Sequence, residues 1–208
     1  MSQASALKHS LQRVRADAAV HAAELLLSAN GYAPMSVDAV AAKAGMAKAS
    51  LYKLFRSKEE LAAAAALKSL DEALTMTRVL RAQRGATQAE QALSALRAAA
   101  TWLIQAQLQD RWTPLLGEHS GVECAPWASA QVLDRQAQLS LQLSTWIAQA
   151  QAGGMLRADL PAEVMLFSLL AQTSHTGLKR LKADQRLSDS EIVQSLMTIV
   201  FDGLSPAR

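Results

Sequence analysis

The sequence predicts an all-α protein of about nine helices, a small N-terminal helix-turn-helix domain followed by a larger helical domain. Three observations carry this reading. Half of the 208 residues are hydrophobic, enough for a sizeable core, yet only 4% are aromatic. Ala, Leu and Gln dominate, all good helix formers, and runs of β-branched residues are nearly absent. Gly, Pro and Ser recur at helix-length intervals, with no strand-like alternation, internal repeat or low-complexity linker.

The elements follow in order. A first helix is expected from Leu11 to Asn30, with Leu11, Val14, Ala18, Ala22, Leu25 and Ala29 along one stripe. Gly31 supplies its left-handed stop. Ser36 is placed to cap a short helix ending near Ala44, with Asp38 at its positive end. Gly45 breaks that helix, and a second short one follows through Leu54. Ser57-Lys58-Glu59-Glu60 forms a capping box that opens a long helix to about Arg84. Gly85 and Thr87 separate it from a helix over Gln88 to Gln109. A broken stretch with Pro114, Gly117, Gly121 and Pro126 leads into a long helix ending at Gly153-Gly154. Pro161 suits the first turn of the next, which is expected to reach about Lys182. Ser188 to Glu191 is a second capping box, starting a final helix that Gly203 closes. The two domains are placed at 1–56 and 57–208, joined by the helix that starts at 57.

Charge singles out the N-terminal part. The net charge is only +3, but residues 1–60 hold eight Lys/Arg against five Asp/Glu, and residues 61–208 hold 13 of each. Between 39 and 58 there are five basic residues and no acid, a local footprint for a polyanion. An overlapping stretch, VDAVAAKAGMAKASLYKL from Val37 to Leu54, meets the steric demands of a helix-turn-helix. Val40, Ala44, Met46, Leu51 and Leu54 are its inward positions, Ala41 is small where the helices cross, and Gly45 takes the turn. The outward residues of the second helix are then Lys48, Ala49, Ser50, Tyr52 and Lys53. Lysines neutralise phosphates, the hydroxyls donate to them, and a small Ala lets the helix approach the bases.

Residues 13–67 resemble the DNA-binding domain of the tetracycline-repressor (TetR) family. The matching features are AAELLLSANGY, SVDAVAAKAGMAKASLYKLF and SKEEL. The resemblance implies base or phosphate contacts from Lys48, Ala49, Ser50, Tyr52 and Lys53, and phosphate contacts from Ser36 and Lys58. Three departures bear on which operator is read: Met35 where the family usually has Thr, Ala47 where Ser or Thr commonly caps the recognition helix, and the pair Lys53-Leu54. The expected function is a DNA-binding transcriptional regulator, a repressor released from its operator by a small, largely hydrophobic effector. An activator or a ligand-independent regulator would use the same residues.

In the C-terminal half, Trp102, Trp112, Leu116, Trp127 and Trp146 are candidates to line an effector pocket, against the alternative of plain core packing. Phe167, Leu170, Ser174, Leu178, Ile192, Leu196 and Ile199 follow helical spacing and are candidates for a homodimer interface, which the family resemblance implies as a four-helix bundle. His119, His175, Glu118, Glu123 and Cys124 match no metal-ligand spacing, so no metal or cofactor is expected. The single cysteine allows no intrachain disulfide and fits a reducing cytoplasm. No apolar run approaches the roughly 20 residues that span a bilayer. An enzyme is disfavoured, since HExxH, Walker and GxSxG motifs are all missing.

Overall fold

The computed structural model describes residues 3–79, 86–109, 111, 126–172 and 175–204. Among these residues there are nine α-helices and no strand: α1 (Gln3–Asn30), α2 (Val37–Lys43), α3 (Lys48–Tyr52), α4 (Lys58–Val79), α5 (Gln88–Leu108), α6 (Ala130–Ala152), α7 (Ala162–Ala171), α8 (His175–Ala183) and α9 (Asp189–Leu204).

Local chemistry sets the helix starts. Ser36 Oγ accepts from the Ala39 N–H at 3.1 Å and Ser129 Oγ from the Val132 N–H at 3.3 Å, opening α2 and α6. At α9, Ser188 Oγ accepts from the Glu191 N–H while Glu191 Oε2 accepts from the Ser188 N–H at 2.8 Å. Thr87 and Glu90 make the same reciprocal pair at α5. At α4 the box is shifted: Ser57 Oγ accepts from the Glu60 N–H, but Glu60 Oε2 takes the N–H of Arg56, one residue earlier than expected, at 2.6 Å. Such caps contribute about 1 kcal/mol each.

Three expectations need correction. First, α1 begins at Gln3 rather than near Leu11, and its buried stripe is Ala19, Ala22, Ala23 and Leu27. Leu11, Val14 and Ala18 are exposed, because only the second half of the helix lies against the core. Second, the helix after Pro161 is not continuous to Lys182 but is divided into α7 and α8. Third, Gly203 does not stop α9, which runs through it to Leu204. Pro161 itself sits at the N-cap, where its fixed φ of −60° and absent N–H cost nothing.

The core is continuous. Small residues of α1 (Ala19, Ala22, Ala23) and α4 (Ala62, Ala65, Ala66) bury together with Val40 and Leu51 of the helix-turn-helix. The same cluster extends through Leu96, Leu103, Leu143, Ile147 and Met165 to Phe201 of α9, so no break falls at the expected boundary after residue 56. A smaller cluster joins Ile104 and Leu108 of α5 to Leu178 of α8 and Ile192 and Val193 of α9. The α1–α4 junction also holds a buried carboxylate. Glu24 is only 2% exposed and accepts from Lys68 Nζ at 2.7 Å and Ser69 Oγ at 3.1 Å. Burying a charge is tolerated only with such partners.

The approach of α5 to α6 is fixed by a glycine. A Cβ on Gly153, at the end of α6, would lie 2.1 Å from the Ala89 Cβ in the first turn of α5. Only Gly at 153 lets the two helix ends meet this closely.

Candidate nucleic-acid interface

Helices α2 and α3 pack through Val40, Ala41 and Leu51, all buried, with Ala44, Met46 and Leu54 half-buried beside them. Gly45 has φ +64°, a conformation L side chains rarely adopt, so the turn between the two helices requires it. The opposite face of α3 is open. Lys48, Ala49, Tyr52 and Lys53 are exposed, Tyr52 with 47% of its surface free, and Ser50 is half-buried. The start of α3 has no side-chain cap at Ala47, which leaves its first N–H groups available to an external acceptor.

Two of the lysines on this side of the chain, Lys48 and Lys58, are engaged within it. Lys48 Nζ lies 2.8 Å from Asp38 Oδ1 on α2, and the hydrogen bond to Asp38 raises the lysine's pKa. Lys58 Nζ donates to the Ala33 carbonyl at 3.1 Å and sits 4.1 Å from the centre of the Tyr32 ring. Tyr32 in turn donates its hydroxyl to Glu59 Oε1 at 2.6 Å. Burial pushes the Tyr32 phenol above its ordinary range, aided by the hydrogen bond to Glu59 and that residue's charge. The hydrogen bond from Tyr32 holds the Glu59 carboxyl below its ordinary range. Tyr32 thus ties the end of α1 to the start of α4 and seats Lys58.

The expected DNA-contacting residues lie on this side of the molecule's small N-terminal helices, with Ser36 serving as the cap of α2. Sequence reasoning missed Tyr32 and read Asp38 only as a helix-end charge. The signal for the Lys48–Asp38 pair was their separation of ten residues across a known turn, which becomes a contact only once the turn geometry is fixed.

The candidate effector and dimer residues separate. Trp127 and Trp146 are buried and line two different cavities, and Trp102 is half-buried against the core. Trp112 and Leu116 lie outside the described residues, as do His119, Cys124 and Ser174. Leu178 and Ile192 are buried within their own subunit in the smaller cluster, so they are not free to meet a partner. Phe167 and Ile199 are 65% and 68% exposed, and Leu170 and Leu196 are half-buried. Among the described residues, no group of three or more His, Cys, Asp or Glu is placed to hold a metal ion, and no helix is long and apolar enough to cross a membrane.

A helix-turn-helix held on a larger helical body, with an exposed basic second helix, defines a DNA-binding regulator. Residues 19–65 match the family model for bacterial regulatory proteins of the tetR family. The matched residues hold the second half of α1, α2, α3 and the start of α4, the part of the chain similar to that family's N-terminal domain. A TetR family transcription regulator from Marinobacter aquaeolei VT8 is similar in structure over 96% of this chain and 100% of its own, with a TM-score of 0.68 and 17% identity. AibR in complex with isovaleryl coenzyme A and operator DNA is similar over 90% of this chain and 98% of its own, with a TM-score of 0.64 and 24% identity. The fatty acid degradation regulator FadR from Bacillus halodurans is similar over 90% and 94%, with a TM-score of 0.63 and 14% identity. No curated protein matches the chain.

Proposed function

We propose that this regulator is a homodimeric repressor that leaves its operator when a small, largely hydrophobic effector binds the C-terminal domain. The observation that carries the reading is the open face of α3, whose lysines and Tyr52 have no burying neighbour while Leu51 behind them is fully packed. Two such faces are needed, because one short helix reads too few bases for useful specificity. Exposed Val164, Phe167 and Ile199 on the packed pair α7 and α9 supply an apolar surface for the second copy. AibR holds both isovaleryl coenzyme A and operator DNA, which supports a small-molecule effector here, one whose apolar part is an acyl group. Release requires the effector to favour a spacing of the two recognition helices that does not fit DNA.

The test is fluorescence anisotropy on DNA from upstream of the gene, beside an unrelated duplex of equal length, at several salt concentrations. Tight, salt-sensitive binding that prefers the upstream DNA is expected. Lys48→Ala with Tyr52→Ala is expected to weaken it by roughly a hundredfold or more while leaving the helical signal unchanged. Undiminished affinity in that variant would remove α3 as the recognition surface.

A further inference from the structure

Helices α5 and α6 leave a groove of about 550 Å³ between them, within the size range of small-molecule sites. The helices meet closely where Gly153 faces Ala89, and the groove runs along the pair from that end. Its floor is apolar: Ala92 and Ala95 of α5 and Trp146 of α6 line it, and all three are buried. Leu141, 69% exposed, adds an apolar edge.

Most of the remaining lining is amide. Five of the ten lining residues are glutamines, and none is Asp, Glu, Lys, Arg or His. Two of the amides are anchored by their nitrogens. Gln91 Nε2 donates to the Ala86 carbonyl at 2.8 Å, and Gln138 Nε2 donates to Asp134 Oδ2 at 2.9 Å. Their carbonyl oxygens are left as acceptors. Gln142 and Gln149, half-buried on α6, each bring a donor and an acceptor. Asp134, the carboxylate that holds Gln138, lies outside the lining and is paired with Arg135 Nη1 at 2.8 Å.

Such a lining selects by charge. An ionic head seated on it would shed water and meet no counter-ion, whereas a hydroxyl, which both donates and accepts, is matched by an amide. We propose that the groove binds an uncharged amphiphile, its hydroxylated head held by the glutamines and its alkyl or acyl chain laid along Trp146 and Leu141. The inference rests on the effector reading above, in which Trp146 is a candidate, and narrows that effector to a molecule without charge.

Isothermal titration of the full chain with octyl β-glucoside, kept below its micelle-forming concentration, tests the site. Octyl sulfate and octyltrimethylammonium carry the same chain on a negative and a positive head. The glucoside is expected to saturate at one per chain, and each ion to bind roughly tenfold more weakly or worse. Gln142→Leu with Gln149→Leu removes two amides and is expected to weaken the glucoside roughly tenfold, with little change for the ions. Gln142→Lys supplies the missing counter-charge and is expected to raise the affinity for octyl sulfate roughly tenfold, a gain that a damaged fold would not produce. No glucoside binding, equal binding of either ion by the wild type, or glucoside binding undiminished in the double variant would overturn the proposal. A failure of the effector reading alone registers separately: the glucoside binds with these preferences, yet saturating amounts leave the affinity for upstream DNA unchanged.

Discussion

Asp38 restrains Lys48, the lysine that the proposed reading has α3 offer to DNA. The Lys48–Asp38 pair is exposed on both sides, so its strength is modest and falls with salt. A phosphate must nevertheless displace the carboxylate, and the carboxylate itself repels the backbone. Asp38→Asn is expected to strengthen DNA binding about three- to tenfold at low salt, with less gain on raising the salt, as read by anisotropy. Tyr32 and Glu59 give a pH signature. The Glu59 pKa is lowered in the folded chain, chiefly by the bond from Tyr32, so this pair stabilises the fold above the carboxylate's unfolded pKa. That stability is lost as pH falls through the lowered folded value. Tyr32→Phe is therefore expected to be less stable than wild type at pH 7, with the gap closing in acid, as measured by chemical denaturation at both pH values.

Among the elements, those with caps at both sequence and structure level were the most legible. Ser36, Ser57 and Ser188 announce their helices because a hydroxyl three residues before an N–H needs no tertiary partner. Gly45 was legible for the same local reason. The division between α7 and α8 was not, since no Gly or Pro between 162 and 176 marks it. The buried stripe of α1 was misread because Leu11 and Val14 repeat at helical spacing, yet that half of the helix has no core beneath it. Nor could spacing reveal that Gly153 touches Ala89, a contact across 64 residues made only when α5 and α6 pack. Gly153→Ala is expected to cost about 1–3 kcal/mol by overpacking. Ala89→Gly in the same chain should restore most of it, and thermal denaturation of the two variants checks the pair.

For the whole molecule, the helix-turn-helix was readable because it is local in sequence, whereas the surfaces of the C-terminal domain depend on which helix faces win the interior. Leu178 and Ile192 share the spacing of exposed Phe167 and Ile199 but turn inward on α5. The proposed dimer thus rests on the residues left outside. Phe167→Glu is expected to give monomers by light scattering and, with them, a loss of specific DNA binding of roughly a hundredfold or more. The continuous core has a further consequence. Because Val40 and Leu51 share one packed interior with Leu143 and Phe201, the helix-turn-helix is expected to melt together with the remainder. A single cooperative transition is expected in calorimetry, and anything that binds the folded chain at one end is expected to raise the melting temperature of the whole.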